Sequence, residues 1–285
     1  MHQIFNIEYA FIAFCCIIHI MLTSTLGGLI KDHRIKKRLS QLEVSLRIGW
    51  KDSTRLSKIE QGRVGKPTRE TLDKIVNALE LNAYDRGQIF LATRIVPTSE
   101  EVNSVILKVK EKMKDFKYPL MLVDFTWNTF YFNKLCIDLF KLSDKEYRFL
   151  EKNKLNWLEL LFLRKSFNNV KLKAGYTEMS MSVSEEYFIS HFKFEQSNNT
   201  SEKWFRNLLL KLSKDSNFRK LWAKTPPSKE EHFYNYEINH FTGNWRGKEE
   251  TLRFHIFAVH PTFDSRFALL IHQPADVNTF KFYAK

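Results

Sequence analysis

Apolar positions in the first third of the chain recur every three or four residues, which predicts five short helices over residues 26–93. Ser40 precedes the second of these helices and Glu43 follows three residues later, a spacing typical of a capping box. Gly49 comes next, where a sharp turn between helices needs a residue that tolerates positive φ. The third helix is expected at residues 53–60. The pattern therefore predicts an all-α domain with a tight turn between its second and third helices.

The pattern changes after a polar helical stretch at residues 100–115. Residues 118–124 are a candidate for a buried strand, residues 128–140 are aromatic and partly alternating, and residues 141–220 are mainly helical with a polar loop at 195–202. Near the C terminus, three alternating or apolar segments lie about a hairpin apart, at residues 233–241, 251–259 and 267–272.

We therefore expect an α+β multidomain protein, in which an all-α five-helix domain precedes an α+β domain with an antiparallel sheet. The expected boundaries are residues 1–22 for an apolar N-terminal segment, 23–96 for the helical domain, 97–116 for a connector helix and 117–285 for the α+β domain.

The N-terminal segment has two interpretations. Residues 9–22 are apolar except for His19, but a membrane span needs about 20 such residues. A signal peptide would begin with a basic region, and residues 1–8 contain no Lys or Arg. One interpretation is a mis-assigned start, with Met21 as the natural first residue. The other is a membrane-associating tail.

The charge of the chain favours an anionic partner. The formal net charge is +13, and residues 31–70 alone contain 12 Lys or Arg against 5 Asp or Glu. Such a concentration suits nucleic acid or an acidic membrane surface. Three cysteines, Cys15, Cys16 and Cys136, form neither a disulfide framework nor a metal-ligand spacing, which fits a reducing, cytoplasmic location. No catalytic motif is visible, so neither an enzyme, a cofactor nor a metal site is expected.

The tight turn between helices, together with the charge, indicates a helix-turn-helix that binds double-stranded DNA. In this motif the second helix of the pair enters the major groove, where Arg, Ser and Thr side chains can bind base edges. Basic residues that flank the helix would bind phosphates. The candidate DNA-binding residues are Gln41, Ser53, Thr54, Arg55, Ser57, Lys58, Arg63, Lys66 and Arg69.

A family resemblance supports this interpretation. The run from Ile59 to Arg63 (IEQGR), followed by Pro67, Leu72-Asp73 and Ala78-Leu79, resembles the helix-turn-helix of the Cro/XRE class over residues 26–92, most closely that of MmyB-like regulators. Two positions depart from the family pattern. The turn Trp50-Lys51-Asp52 is one residue longer, which leaves two registers open for the reading helix, and Ser45 stands where the family has a small Ala.

The second half resembles the PAS-like ligand-binding domain of MmyB-type regulators. The similarity rests on residues 119–124, Trp127, Asn133, residues 216–223 and the strand pattern up to Pro274. The resemblance implies a small, mostly apolar cavity that would bind a hydrophobic ligand. The candidate lining residues are Phe125, Trp127, Phe130, Phe132, Phe162, Trp204, Arg206 and Trp222, each of which could instead be ordinary core. A ligand carboxylate could be bound by Arg206, Arg219 or Arg253.

These observations predict a ligand-responsive transcription regulator that binds DNA as a homodimer. Two alternatives remain open at this stage. The helical domain could bind a partner protein, or the chain could be a regulator tethered to a membrane by residues 9–22.

Overall fold

The computed structural model describes residues 25–163, 178–228, 239–245 and 248–284. Two compact units are present. The helical unit comprises the described residues up to Pro97 together with Thr262–Arg266, and the sheet unit comprises the described residues of Thr98–Pro261 and those from Phe267 onward. The apolar segment 1–22 and the first part of the strand predicted at 233–241 lie outside the described residues. Within the described ranges, no helix is both long and apolar enough to cross a membrane.

The helical unit contains the predicted helices, in order α1 (Leu26–Lys36), α2 (Gln41–Ile48), α3 (Thr54–Glu60), α4 (Arg69–Ala78) and α5 (Ala83–Ala92). The predicted capping box starts α2, since the backbone N–H of Glu43 donates to Ser40 Oγ at 3.1 Å and the N–H of Ser40 donates to Glu43 Oε2 at 2.6 Å. Gly49 ends α2 with a φ of 87°, as the turn requires.

The interior of this unit, here called the helical core, is aliphatic apart from Phe90. Close approach of α1 to the end of α3 depends on Gly27, because a Cβ there would lie 2.3 Å from the carbonyl oxygen of Glu60. The helical core consists of Ile30, Val44, Leu56, Ile59, Leu72, Ile75, Val76, Ala78, Leu79, Ile89 and Phe90.

The segment Thr262–Arg266 completes the helical unit. The side chain of Arg266 is 2% exposed, and its Nη2 donates to Asp264 Oδ2 at 2.7 Å. The guanidinium lies 5.0 Å from the ring centroid of Phe90, and a Cβ at Gly87 would lie 2.8 Å from the backbone N of Ser265. These contacts bury an arginine beside α5 that lies 176 residues later in sequence than Phe90.

The sheet unit begins with α6 (Ser99–Lys112), at the predicted connector, whose Val102, Val105 and Val109 are buried. The strands are β1 (Leu120–Asp124), β2 (Thr129–Phe132), β3 (Asn239–Trp245), β4 (Lys248–Val259) and β5 (Phe267–Pro274). The later helices are α7 (Lys134–Leu139), α8 (Asp144–Asn153), α9 (Trp157–Leu163), α10 (Glu178–Glu195), α11 (Lys203–Leu212), α12 (Ser216–Lys224) and α13 (Val277–Tyr283).

All five strands form one antiparallel sheet in the order β2-β1-β5-β4-β3. The prediction of a helical domain followed by an α+β domain with an antiparallel sheet is confirmed. The aromatic, partly alternating stretch 128–140 contains two elements. It forms the short strand β2 and then α7, because Asn133 accepts from the backbone N–H of Cys136 at 2.9 Å and so caps the helix.

Helices pack on one face of this sheet through a cluster that we call the aromatic core. Trp127, Phe192 and Phe205 lie near its centre, with ring centroids 5.2 Å apart for Trp127 and Phe192 and 5.9 Å apart for Phe192 and Phe205. Aromatic pairs at such distances add to the stability given by apolar burial.

Candidate nucleic-acid interface

The turn before α3 determines which side chains the helix exposes. The carboxylate of Asp52 accepts from the backbone N–H of Thr54 at 2.7 Å, whereas Ser53 makes no side-chain capping bond. These hydrogen bonds, from the Thr54 side chain and its backbone, lower the pKa of Asp52. An ionised carboxylate next to the first N–H groups of a helix is favourable. The turn at residues 50–52 therefore ends in a cap that begins α3 at Thr54.

The outward face of α3 carries polar and basic side chains. Leu56 and Ile59 are buried in the helical core, which places Thr54, Arg55 and Lys58 in solvent. Ser53 and Ser57 are half-buried at the edges of this face, and Ser57 Oγ accepts from Gln61 Nε2 at 3.0 Å. We call Thr54, Arg55 and Lys58 the reading face.

Arg55 is the most constrained member of the reading face. Its Cζ lies 4.7 Å from the centroid of the Trp50 ring, a cation–π distance. Its Nη2 also donates to Thr71 Oγ1 on α4, at 3.3 Å. The side chain is exposed but has contacts with both the turn and α4.

Gln41, at the start of α2, belongs to a buried polar network. Its Nε2 donates to Glu60 Oε2 at 2.7 Å, and Glu60 also accepts from Arg34 Nε at 2.7 Å and Nη2 at 2.9 Å. The Glu60 side chain is 2% exposed and that of Arg34 is 12% exposed. The hydrogen bonds that Arg34 donates to Glu60 raise the pKa of Arg34 above its ordinary value. This network connects α1, the start of α2 and the end of α3.

The three flanking basic residues differ in their surroundings. Arg63 and Lys66 are exposed in the segment after α3, and Lys66 Nζ donates to the carbonyl of Arg94 at 3.4 Å. Arg69 is half-buried at the start of α4; its Nη1 donates to the carbonyl of Val96 at 3.2 Å and its Cζ lies 5.1 Å from the Phe90 ring centroid. Arg69 therefore packs within the helical unit more extensively than Arg63 or Lys66.

Several residues that shape this surface were not among the sequence-based candidates. Trp50, Asp52 and Thr71 surround the reading helix, and Arg34 and Glu60 hold Gln41. The longer turn at residues 50–52 was the visible signal for the first two. The partners of Arg55 and Gln41 come from other helices, so local spacing gave no sign of them.

The candidate ligand-lining residues in the sheet unit fall into three groups. Trp127, Phe132 and Phe162 are buried in the aromatic core, with Trp204 and Trp222 packed against it. Phe130 is buried with its ring centroid 5.7 Å from that of Phe267, and Phe125 is half-buried. Arg206 is exposed on α11.

Two polar details concern the aromatic core. Trp127 has a φ of 67°, and its indole N–H donates to Glu195 Oε2 at 2.7 Å. The buried indole nitrogen of Trp204 has no hydrogen-bond partner among the described residues.

The arginines considered for a ligand carboxylate all lie at the surface. Like Arg206, both Arg219 and Arg253 are exposed; Arg219 donates to the carbonyl of Ser213 and Arg253 pairs with Asp276 at 3.4 Å. In the described ranges, no group of three or more His, Cys, Asp or Glu side chains is arranged to hold a metal ion.

Comparison with known proteins adds one finding to this geometry. A family model described as a helix-turn-helix matches residues 30–84. The chain contains a Cro/XRE-type helix-turn-helix. The matched region runs from α1 into the start of α5 and spans the reading face. The expectation of a Cro/XRE-type helix-turn-helix is confirmed, and the roles of the individual DNA-binding residues stay predictions. No curated protein matches the chain. The MmyB-like and PAS-like assignments of the second half remain predictions.

Proposed function

We propose that the protein is a sequence-specific DNA-binding transcription regulator that inserts α3 into the major groove. The helix-turn-helix match indicates a DNA-binding regulator, and the observation that carries the finer proposal is the reading face. Thr54, Arg55 and Lys58 are exposed side by side on a helix whose opposite face is core. In this motif, side chains at the N-terminal end of the second helix contact base edges.

Affinity in this proposal comes mainly from phosphate contacts. Arg63 and Lys66 follow the reading helix and are exposed. Ser53, Ser57, Gln41 and Arg69 complete the proposed interface, with Gln41 oriented through Glu60. Such contacts position the domain on the duplex and make binding depend steeply on salt.

The regulator is proposed to act as a homodimer. Helix-turn-helix proteins commonly read two half-sites separated by about 34 Å, one turn of DNA. A two-fold symmetric operator would then match two copies of the reading face. Dimeric binding would appear as a preference for inverted repeats among selected DNA sites.

The sheet unit is proposed to be PAS-like and to bind a small apolar ligand. The five-stranded antiparallel sheet in the order β2-β1-β5-β4-β3, with helices α7 to α12 between β2 and β3, supports this assignment. Binding there would be driven by the burial of the ligand's own apolar surface, at about 25 cal/mol per Å². A ligand would change DNA binding only if it binds one conformation of the protein more tightly than another.

DNA binding is tested with the full-length chain on a randomised duplex library, followed by affinity measurements on the selected site. Arg55→Ala should weaken binding by about 5-fold to 150-fold, since a bidentate base contact is worth roughly 1–3 kcal/mol. Arg148→Ala, an equal loss of charge at an exposed position on α8, should leave affinity nearly unchanged. If the wild type selects no sequence and its binding does not weaken with salt, the proposal is wrong.

The ligand part is tested separately. Native mass spectrometry of the full-length protein should show a retained small molecule. Its removal and readdition should change the Kd for the selected duplex. The ligand role would be wrong if two results were obtained together. The purified protein would carry no small molecule, and its affinity for DNA would be the same before and after denaturing extraction and refolding.

A further inference from the structure

Arg55 is the one member of the reading face whose side chain contacts both the turn and α4. Its guanidinium lies over the Trp50 ring, at 4.7 Å from the centroid, and donates to Thr71 Oγ1 at 3.3 Å. The side chain of Lys58, about one turn further along α3, has no hydrogen bond, ion pair or ring contact among the described residues, although its charge helps to lower the pKa of Asp52. Two exposed cations on the same face are therefore held very differently.

The groups that contact Arg55 are themselves anchored. Trp50 is half-buried against the helical core, and its backbone N–H donates to the carbonyl of Ser45 at 2.8 Å. Thr71 is 8% exposed, and its Oγ1 lies 3.0 Å from Thr68 Oγ1. The guanidinium thus rests between a ring held by the turn and a hydroxyl held by α4.

These contacts restrict the conformations of an exposed arginine side chain. A free arginine samples many rotamers, and ordering them on binding reduces affinity. The Arg55 side chain is already ordered in the free protein by its contacts with Trp50 and Thr71. Arg has five N–H donors in a planar fork, so one bond to Thr71 leaves others available for O6 and N7 of a guanine.

We propose that Trp50 is a positioning residue that determines specificity for a guanine through Arg55. This inference rests on the proposed function, because it presumes that α3 reads DNA. The turn that is one residue longer than the Cro/XRE pattern thereby supplies two parts: Asp52 caps the reading helix and Trp50 supports its arginine.

The test compares Trp50→Leu and Trp50→Phe with the wild type on the selected duplex and on all its single base-pair variants. Leucine keeps apolar volume against the helical core but has no π face, whereas phenylalanine keeps a smaller one. Trp50→Leu should weaken binding to the preferred site by about 3-fold to 30-fold and Trp50→Phe by less, as expected from cation–π strengths. The loss of discrimination should fall on the same base pair that Arg55→Ala affects.

A double-mutant cycle separates positioning from general damage to the fold. In the Arg55→Ala background, Trp50→Leu should have no further effect on affinity, because Trp50 acts through Arg55. Hydrogen exchange in α2 and α4 should remain as in the wild type for Trp50→Phe, which keeps the test valid if Trp50→Leu unfolds the turn.

The outcomes discriminate between this inference and the proposed function. The inference is overturned if Trp50→Leu weakens DNA binding equally in the wild-type and the Arg55→Ala backgrounds. It is also overturned if the Trp50 variants discriminate among the single base-pair variants of the site as the wild type does. If the wild type binds DNA but Arg55→Ala has the same sequence preference, Arg55 only packs against Trp50 and does not read a base. The proposed function then stands without this inference. A wild type that binds no duplex would end both.

Discussion

The two units give contrasting examples of buried polar groups. The helical unit buries charges as pairs: Glu60 with Arg34, and Arg266 with Asp264. The sheet unit surrounds neutral groups with rings, as at His272, whose ring centroid is 6.0 Å from those of both Phe140 and Phe254. Burial lowers the pKa of His272 to about 4 and raises that of Cys136.

The difference predicts different weaknesses. A buried ion pair holds distant parts of the chain together, but the loss of one partner leaves an uncompensated charge. A buried neutral histidine destabilises the fold in acid instead, because the unfolded chain binds a proton that the folded chain does not. The helical unit should therefore be sensitive to single deletions of charge and the sheet unit to acid.

The largest expected effect is the loss of Arg266. Arg266→Ala leaves Asp264 without its ion-pair partner and uncovers Phe90, which should destabilise the helical unit by about 3–5 kcal/mol. Hydrogen exchange of α5 and denaturant unfolding measure it. Arg47→Ala is the control, because that side chain is 44% exposed and its partner Glu80 is 72% exposed. Equal, small effects of both substitutions would show that the buried pair is not a weakness.

An intermediate effect is expected from acid on the sheet unit. His272 has a folded pKa of about 4 against an ordinary 6.5, so between these values the unfolded chain binds a proton that the folded chain does not. The free energy of unfolding should therefore decrease as the pH is lowered, by about 2 kcal/mol from pH 7 to pH 5.

Urea unfolding at the two pH values, followed by hydrogen exchange in β5, measures this change. His272→Gln should remove most of the pH dependence, whereas His255→Gln, at a partly exposed position on β4, should retain it. The same slope in the wild type and His272→Gln would contradict the assignment to His272.

The smallest change in stability is expected at a neutral polar group that is buried in the helical unit. The Ser45 side chain is fully buried, and its Oγ has no hydrogen-bond partner among the described residues. Ser45→Ala should stabilise the unit by about 1 kcal/mol, because an unsatisfied buried hydroxyl is removed. Thermal unfolding checks this, with the half-buried Ser57→Ala as the reference. A lower Tm for Ser45→Ala would mean that the hydroxyl is satisfied.

Prediction from sequence succeeded where the signal was local. The helix periodicity, the capping box of Ser40 and Glu43 and the left-handed Gly49 each involve residues a few positions apart. It was less informative at residues 128–140, where one strand and one helix follow each other within a single aromatic run. There, alternation and helical spacing overlap, and Asn133 separates the two elements.

The candidate interface divides in the same way. Exposure of Thr54, Arg55 and Lys58 follows from the burial of Leu56 and Ile59, which periodicity predicts. The seat of Arg55 on Trp50 and Thr71, and the bond from Gln41 to Glu60, depend on packing between helices. Likewise, periodicity cannot tell that Arg69 lies against Phe90 while Arg63 is exposed.

The amino-acid pattern was sufficient to indicate the helix-turn-helix, its basic character and the α+β class of the second half. These properties arise from short-range hydrogen bonding, apolar periodicity and composition. Only the folded chain decided which basic side chains are anchored, how the turn at residues 50–52 caps α3, and that residues 262–266 complete the helical unit. Each of these depends on groups that are distant in sequence, and their proximity arises from core packing.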